Sequence, residues 1–221
     1  MKDRVIIVGS SGHARVIIDI FEKMGVQIIG LLDRFRSLGE QTAGYPILST
    51  NYDELQSLSE QYPTAKYFVA IGDNWIRQKE IDLLISYLPG IEFIQAIHPS
   101  AQLASDVKLG KGVAVMAGAI VNANTIVEDF AIINTKASLD HDCFLGKAAS
   151  LAPGVTTGGK VSIGNYAVVA MGAVLKHGIT VGEHALIGTG AVVLTDCPEK
   201  SIMYGCPAKW IRNREIGEKY L

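Results

Sequence analysis

At 221 residues the chain is long enough for one large or two modest domains, and its net charge of −2 offers no basic field for nucleic acid. No apolar run reaches the roughly eighteen residues of a membrane span, and Met1-Lys2-Asp3-Arg4 leads straight into an apolar strand, so neither a span nor a signal peptide is expected and the setting reads as cytoplasmic. Cys143, Cys197 and Cys206 are odd in number and lack zinc-type spacing, which argues against a disulfide framework.

Arg4 to Val8 is a short apolar run ending in Gly9-Ser10-Ser11-Gly12-His13. An amphipathic helix follows, apolar at Ala14, Val16, Ile17, Ile20, Phe21 and Met24, with Gly25 just past its end. Gln27 to Leu32 is a second strand, closed by Asp33. Strand, Gly-rich turn, helix, strand and acid make the first βαβ unit of a Rossmann-like domain. The turn lacks G-x-G-x-x-G, so the dinucleotide fingerprint is missing. Backbone N–H groups at the helix start still suit phosphate.

A short strand at Tyr45–Leu48, a helix from Asn51 to Gln61 and a buried strand from Tyr67 to Ile71 come next. Asn74 stands as cap of a helix from Trp75 to Tyr87, with Arg77 in its first turn. Pro89-Gly90 breaks the chain, and Ile91 to Ile97 reads as the last strand of this domain, placed at residues 1–97.

From Leu103 the pattern changes. Every sixth residue through Val193 is aliphatic except Thr157, and two residues before most of them sits a small one such as Ala119, Thr125, Ala137, Cys143 or Ala149. Gly recurs just after the aliphatic position, at Gly110, Gly146, Gly158, Gly164, Gly182 and Gly188, where the backbone turns or a neighbour comes close. A period of six is neither helix nor ordinary strand; it is the hexapeptide signature of a parallel β-helix with eighteen residues per coil. The coils are placed at residues 98–200. Beyond them, residues 201–221 read as a capping strand, Ser201 to Tyr204, a turn through Pro207, and a short polar helix from Lys209 to Tyr220.

His141 follows the interior Leu139 by two residues, so it points outward, and it has Asp140 and Asp142 on either side. A neutral imidazole accepts a proton near neutral pH, and Asp142 can hold its other nitrogen. Gly159 lies eighteen residues on, one coil above, where a bare N–H suits an oxyanion.

The GSSGHAR-type N-terminal segment, the junction Ile97-His98-Pro99, Asn134-Thr135, Asp140-His141-Asp142-Cys143 and the ending Tyr204-Gly205-Cys206-Pro207-Ala208-Lys209 occur together in this chain. The combination resembles the bacterial sugar acetyltransferases of the left-handed β-helix class, the sialic acid O-acetyltransferase-like family. Within it, the chain looks most like N-acetyltransferases acting on nucleotide-linked 4-amino sugars. The resemblance implies a Rossmann-like domain, a left-handed β-helix, a homotrimer, and acetyl-CoA in a groove between neighbouring coils. It implies His141 and Asp142 as the catalytic pair, with Asn134 and Gly159 beside them. Gly9, Ser10, Gly12, His13, Asp33, Arg34, Gly72, Asn74 and Arg77 would hold the nucleotide-sugar, Arg77 by pairing with phosphate. Ser150, Gly172, Gly190, Pro207 and Lys209 would hold acetyl-CoA, with backbone groups near the glycines meeting pantetheine amides and Lys209 the phosphates. Ser150 stands nine residues after His141, where many relatives carry a second His.

Other readings are weaker. A zinc hydratase on the same coils needs three converging His; His141 and His177 are two coils apart, roughly 10 Å, so no metal is expected. A nucleotide-sugar-binding scaffold without chemistry and an O-acetyltransferase of a sialic-acid-like sugar are the remaining alternatives.

Overall fold

The structure, a computed structural model, describes residues 3–220, so the lead-in at Met1 and Lys2 and the final Leu221 lie outside the described residues. The chain forms two compact units, the first ending at Pro99 and the second beginning at Ser100.

The first unit runs β1 (Arg4–Val8), α1 (Gly12–Met24), β2 (Gln27–Leu32), β3 (Gln41–Thr42), β4 (Tyr45–Ser49), a 3-10 turn (Tyr52–Glu54) leading into α2 (Leu55–Gln61), β5 (Ala65–Val69), α3 (Asn74–Tyr87) and β6 (Ala96–Ile97). The sheet order is β3-β4-β2-β1-β5, parallel except for the β3–β4 hairpin. β1 is central, and Val5 to Val8 are at most 1% exposed, as expected of a parallel strand covered on both faces. α1 buries Ala14, Ile17, Ile18, Ile20 and Phe21, and the Phe21 ring meets Phe68 edge-on at 5.5 Å. Gly25, at φ 72°, ends α1 by donating to the carbonyls of Glu22 and Phe21. The chain leaves β1 for β2 on one side and places β5 on the other. The carboxyl end of β1 is therefore a topological switch point, where ligands gather in such sheets.

Three expectations here need correction. Asp73, not Asn74, caps α3; its carboxylate accepts from the N–H groups of Trp75 and Ile76 at 3.0 and 2.9 Å. The strand expected through Ile71 stops at Val69, because the carbonyls of Ile71 and Gly72 turn away to accept from Arg77. The strand expected from Ile91 shrinks to β6 and one isolated bridge, Phe93 to Tyr67, since the segment meets β5 only around Tyr67.

The second unit contains sixteen two-residue strands, β7 (Gln102–Leu103) to β22 (Val192–Val193), at six-residue intervals. Partners are eighteen residues apart: Val121 pairs with Leu103 below and Leu139 above. Three faces result. The first holds β7, β10, β13, β16, β19 and β22; the second β8, β11, β14, β17 and β20; the third β9, β12, β15, β18 and β21. The second residue of each strand fills the interior, and from Val115 to Val193 each is at most 4% exposed. Leu103 and Leu109, in the first coil, are only half-buried.

The structure divides the work that was assigned to one set of glycines. Gly146 and its equivalents mark close approach: a Cβ there would lie 2.6 Å from the Asn165 nitrogen of the next coil. The turning falls two residues later, at a left-handed φ. Gly112, Gly118, Gly154, Gly172, Gly178 and Gly190 hold that place, but so do Asn124, Phe130, Lys136, Asp142, Ala148, Lys160, Tyr166 and His184.

The C-terminal helix expected from Lys209 is absent. β23 (Ser201–Gly205) adds to the third face parallel to β21, and β24 (Ala208–Asn213) folds back antiparallel on it. The free edge of β23 offers a ladder, and Trp210 and Ile211 are residue types that favour one. Arg212 donates to Glu218 beyond the strand, which holds that carboxyl down at about 2.

Candidate active site

In the first unit, a cleft of about 200 Å³ opens at the switch point, lined by Gly9, Ser10, Asp33, Arg34, Phe35 and Tyr52 among others. The Ser10 hydroxyl donates to Asp33 Oδ2 at 2.5 Å, and the Phe35 N–H donates to Asp33 Oδ1 at 2.9 Å. Arg34 donates to Glu80 at 2.9 Å and lies over the Tyr52 ring, 5.2 Å from its centroid. Tyr52 also donates to Glu80; burial and that carboxylate push its phenol well above its ordinary range. Sequence reasoning missed Tyr52 and Glu80. The available signal was Glu80 one helical turn after Ile76, which also lines the cleft. Ser11, likewise in the lining, is the N-cap of α1, and no side chain caps that helix, so its first N–H groups remain suited to phosphate.

Gly72, Asn74 and Arg77 do not present themselves as expected. Arg77 is 2% exposed. Its guanidinium donates to the carbonyls of Ile71 and Gly72, both at 2.9 Å, and to Asn74 Oδ1 at 2.9 Å. It fastens the turn after β5 rather than reaching outward. His13, in the first turn of α1, has its Nε2 buried without a hydrogen-bond partner among the described residues. Burial, and then the positive charge of Arg77, lower its pKa to about 4, so the ring is neutral at physiological pH.

In the second unit, His141 and Asp142 form the corner between the first and second faces, after Leu139 of β13 (Ser138–Leu139) and before β14 (Phe144–Leu145). His141 Nδ1 lies 2.7 Å from Asp142 Oδ2. Asn124, one coil below, donates to Asp142 Oδ1 at 2.6 Å, and Asn122 donates to Asp140 Oδ1 at 3.0 Å. The Asn124 bond, with that of His141, holds the Asp142 carboxyl below its usual range; Asn122 and the His141 N–H do the same for Asp140. With Nδ1 given to the carboxylate, Nε2 is left to take a proton. Gly159 is buried against the imidazole: a Cβ there would sit 2.5 Å from His141 Nε2. Its N–H makes no hydrogen bond among the described residues. An imidazole braced by a carboxylate and a bare backbone donor therefore stand side by side. Cys143 is 2% exposed, and burial pushes its thiol up, away from the reactive thiolate.

Residues 4–84 match the family model described as the PglD N-terminal domain. The structure of a histidine-to-alanine variant of GDP-perosamine N-acetyltransferase from Caulobacter crescentus, in complex with CoA and GDP-perosamine, is 38% identical, with a TM-score of 0.89 over 95% of this chain and 97% of that one. The acetyltransferase domain of PglB from Neisseria gonorrhoeae, in complex with acetyl coenzyme A, is 31% identical, with a TM-score of 0.87 over 96% and 100%. The chain belongs to the hexapeptide-repeat nucleotide-sugar acetyltransferases. Its second unit is the family's left-handed parallel β-helix. An uncharacterized protein of Acanthamoeba polyphaga mimivirus is 32% identical over 130 residues, 58% of this chain, which spans about a quarter (24%) of that relative's length.

The remaining residues expected to serve cofactor and catalysis lie elsewhere in the second unit. Ser150 opens a strand of the third face, opposite the His141 corner, and is 8% exposed. Asn134 follows a strand of that same face, and its side chain accepts from the Thr135 N–H at 2.8 Å. The N–H groups of Gly172 and Gly190 already donate within the coil, to Pro153 at 3.0 Å and Met171 at 2.8 Å. They cannot meet pantetheine carbonyls as donors, and the two residues serve as open left-handed corners. Pro207 lies in the turn of the C-terminal hairpin, and Lys209 is exposed on β24.

Proposed function

We propose that the chain transfers acetyl from acetyl-CoA to the 4-amino group of a nucleotide-linked amino sugar, by direct attack with His141 as general base. The observation that carries this is the His141–Asp142 pair set against Gly159. A 4-amino sugar is mostly ammonium in water and has no lone pair until a proton leaves. His141 Nε2 accepts that proton as nitrogen attacks the thioester carbon, and Asp142 stabilises the imidazolium. The Gly159 N–H donates to the developing oxyanion. The tetrahedral centre then collapses; the CoA thiolate leaves and takes up the second proton, which the nitrogen sheds as the amide forms. Metal plays no part in this route.

The nucleotide-sugar is assigned to the switch-point cleft and acetyl-CoA to the coils with the C-terminal hairpin. Similarity to an enzyme holding GDP-perosamine makes a GDP-linked sugar the first to test. A homotrimer is the proposed assembly; exposed Ile120 and Ile126 on two adjoining faces support side-by-side packing. Ser150 and Asn134, on the face opposite His141, would then act at a neighbour's site. A cytoplasmic setting fits three free cysteines, and a role in surface polysaccharide assembly fits the product. No described helix is long and apolar enough to cross a membrane.

The test is a panel of UDP-, GDP- and dTDP-linked 4-amino sugars with acetyl-CoA, read by free-thiol release. Turnover with one member and loss of it in His141→Ala is expected. Tight nucleotide-sugar binding without thiol release would instead favour the scaffold reading. Lys209→Ala should raise KM for acetyl-CoA.

A further inference from the structure

The coil that carries His141 replaces one backbone ladder bond with a side-chain bond, and a second side-chain hydroxyl braces its corner. From Ala104 to Lys176 the residue after each of the other strands donates to a carbonyl seventeen residues on; Asn122 donates to Leu139 and Gly158 to Leu175. At Asp140 the N–H donates to the Thr157 hydroxyl instead, at 3.2 Å. The pairing of β13 with β16 (Thr156–Thr157) accordingly keeps one register pair, Ser138 with Thr156, where its neighbours on that face keep two. Corners on the other two edges, such as Asn134–Ala137 and Gly146–Ala149, close by a direct bond from the N–H to the carbonyl three residues back, whereas on the His141 edge the corners Asn122–Thr125, Gly158–Val161 and Lys176–Ile179 make no such bond among the described residues. At the His141 corner the Thr125 hydroxyl is inserted: it accepts from the Cys143 N–H at 3.3 Å and donates to the Asp140 carbonyl at 3.0 Å. Both threonines are buried, at 0% and 4% exposure, in positions the repeat fills with apolar or small residues. Polar groups placed in an apolar coil interior cost stability unless bonded. Here the bonds go to the backbone of Asp140 and Cys143, on either side of the His141–Asp142 pair.

We infer that Thr125 and Thr157 are positioning residues for the acetyl transfer proposed above, setting the 140–143 corner so that His141 Nε2 aims past Gly159. The inference rests on that functional reading for its kinetic consequence and on the hydrogen bonds for its geometry. Neither hydroxyl touches substrate; each acts through the backbone that carries the base. Thr157 also brings its hydroxyl 3.8 Å from Cys143 Sγ, inside the coil.

The variants are Thr157→Val, Thr125→Val and the corresponding serines. Valine at 157 restores the aliphatic series, so the melting temperature should hold or rise while kcat falls about 10- to 100-fold. KM for both substrates should stay within about twofold, since binding groups are untouched. Serine should restore most of kcat. A structural role alone would lower the melting temperature and give no rescue. The His141 ring signals in NMR, identified by their loss in His141→Ala, should move in Thr157→Val and return in Thr157→Ser. That readout needs no substrate, so it stands even if no sugar on the panel is acetylated. Valine variants with wild-type kcat, or with unmoved ring signals, would overturn the inference.

Discussion

Gly159 leaves vacant the volume that the His141 imidazole occupies: a Cβ on Gly159 would come within 2.5 Å of Nε2 and 2.6 Å of Cε1. The φ at Gly159 is ordinary, so crowding, not backbone strain, excludes a side chain there. Gly159→Ala should therefore push the ring off its aim and cut kcat by roughly 10²-fold. In a His141→Ala background the same change should cost almost nothing more, because the clash is gone. Additive losses in that double-mutant cycle, measured as kcat, would mean Gly159 acts independently of the ring.

Burial sets Cys143 apart from His141. His141→Ala should lower kcat by roughly 10² to 10⁴ with nucleotide-sugar affinity intact. Cys143→Ala should cost less than about tenfold, since its raised thiol is not needed as a nucleophile. The reverse ranking, or an acetylated cysteine found by mass spectrometry after quenching, would require a covalent route.

His13 should make the stability of the first unit depend on pH. Its folded pKa is about 4, while an unfolded His titrates near about 6.5. As pH falls through that window the unfolded chain takes up a proton that the folded chain does not. Stability is therefore full above the unfolded value and declines toward about 4. The loss should be about 2 kcal/mol at pH 5. Denaturant unfolding at pH 7 and pH 5 should show a larger drop in wild type than in His13→Gln. Equal drops would show that the ring is accessible to protons in the fold.

Arg77 ties the carbonyls of Ile71 and Gly72 to Asn74 across the turn after β5. Arg77→Ala leaves those acceptors without their charged donor, at a cost of about 3 kcal/mol. Arg77→Lys should recover only part, because a point ammonium cannot span the three acceptors as a planar fork does. Nucleotide-sugar affinity, read by calorimetry, should weaken in both variants through the loosened turn. Unchanged affinity in a folded Arg77→Ala would separate this turn from the cleft.

The coil was legible in the sequence because interior volume dictates residue type: Val121, Leu145 and Ile133 each fill one of the three faces, and among the interior strand positions only Thr157 is polar. Its corners were not. Phe130, Lys136, Asp142 and Tyr166 all take a left-handed φ that their side chains do not advertise, since the ladder on either side imposes it. His141 stood out by its flanking acids, and Gly159 by counting eighteen. The inward fold of Arg77 could not be read, because two of its three acceptors are backbone carbonyls, which no sequence displays. The last segment reads as a polar helix until the open edge of β23 is known, and only then does a strand win.

Register at eighteen residues makes chain length a coordinate. An insertion of six residues carries every later corner to the next face, while eighteen restores the faces and lifts the C-terminal hairpin by about 4.8 Å. Between His141 and Gly159 neither change preserves the arrangement, because the proposed base, the proposed donor and the Thr157 hydroxyl must share adjacent coils. Above Gly159 whole coils can be added or lost with the reaction centre unchanged. The distance from His141 to Lys209 is thus adjustable only in coil-sized steps. Descendants of this chain can alter the span offered to a long thioester carrier, but only by discrete notches.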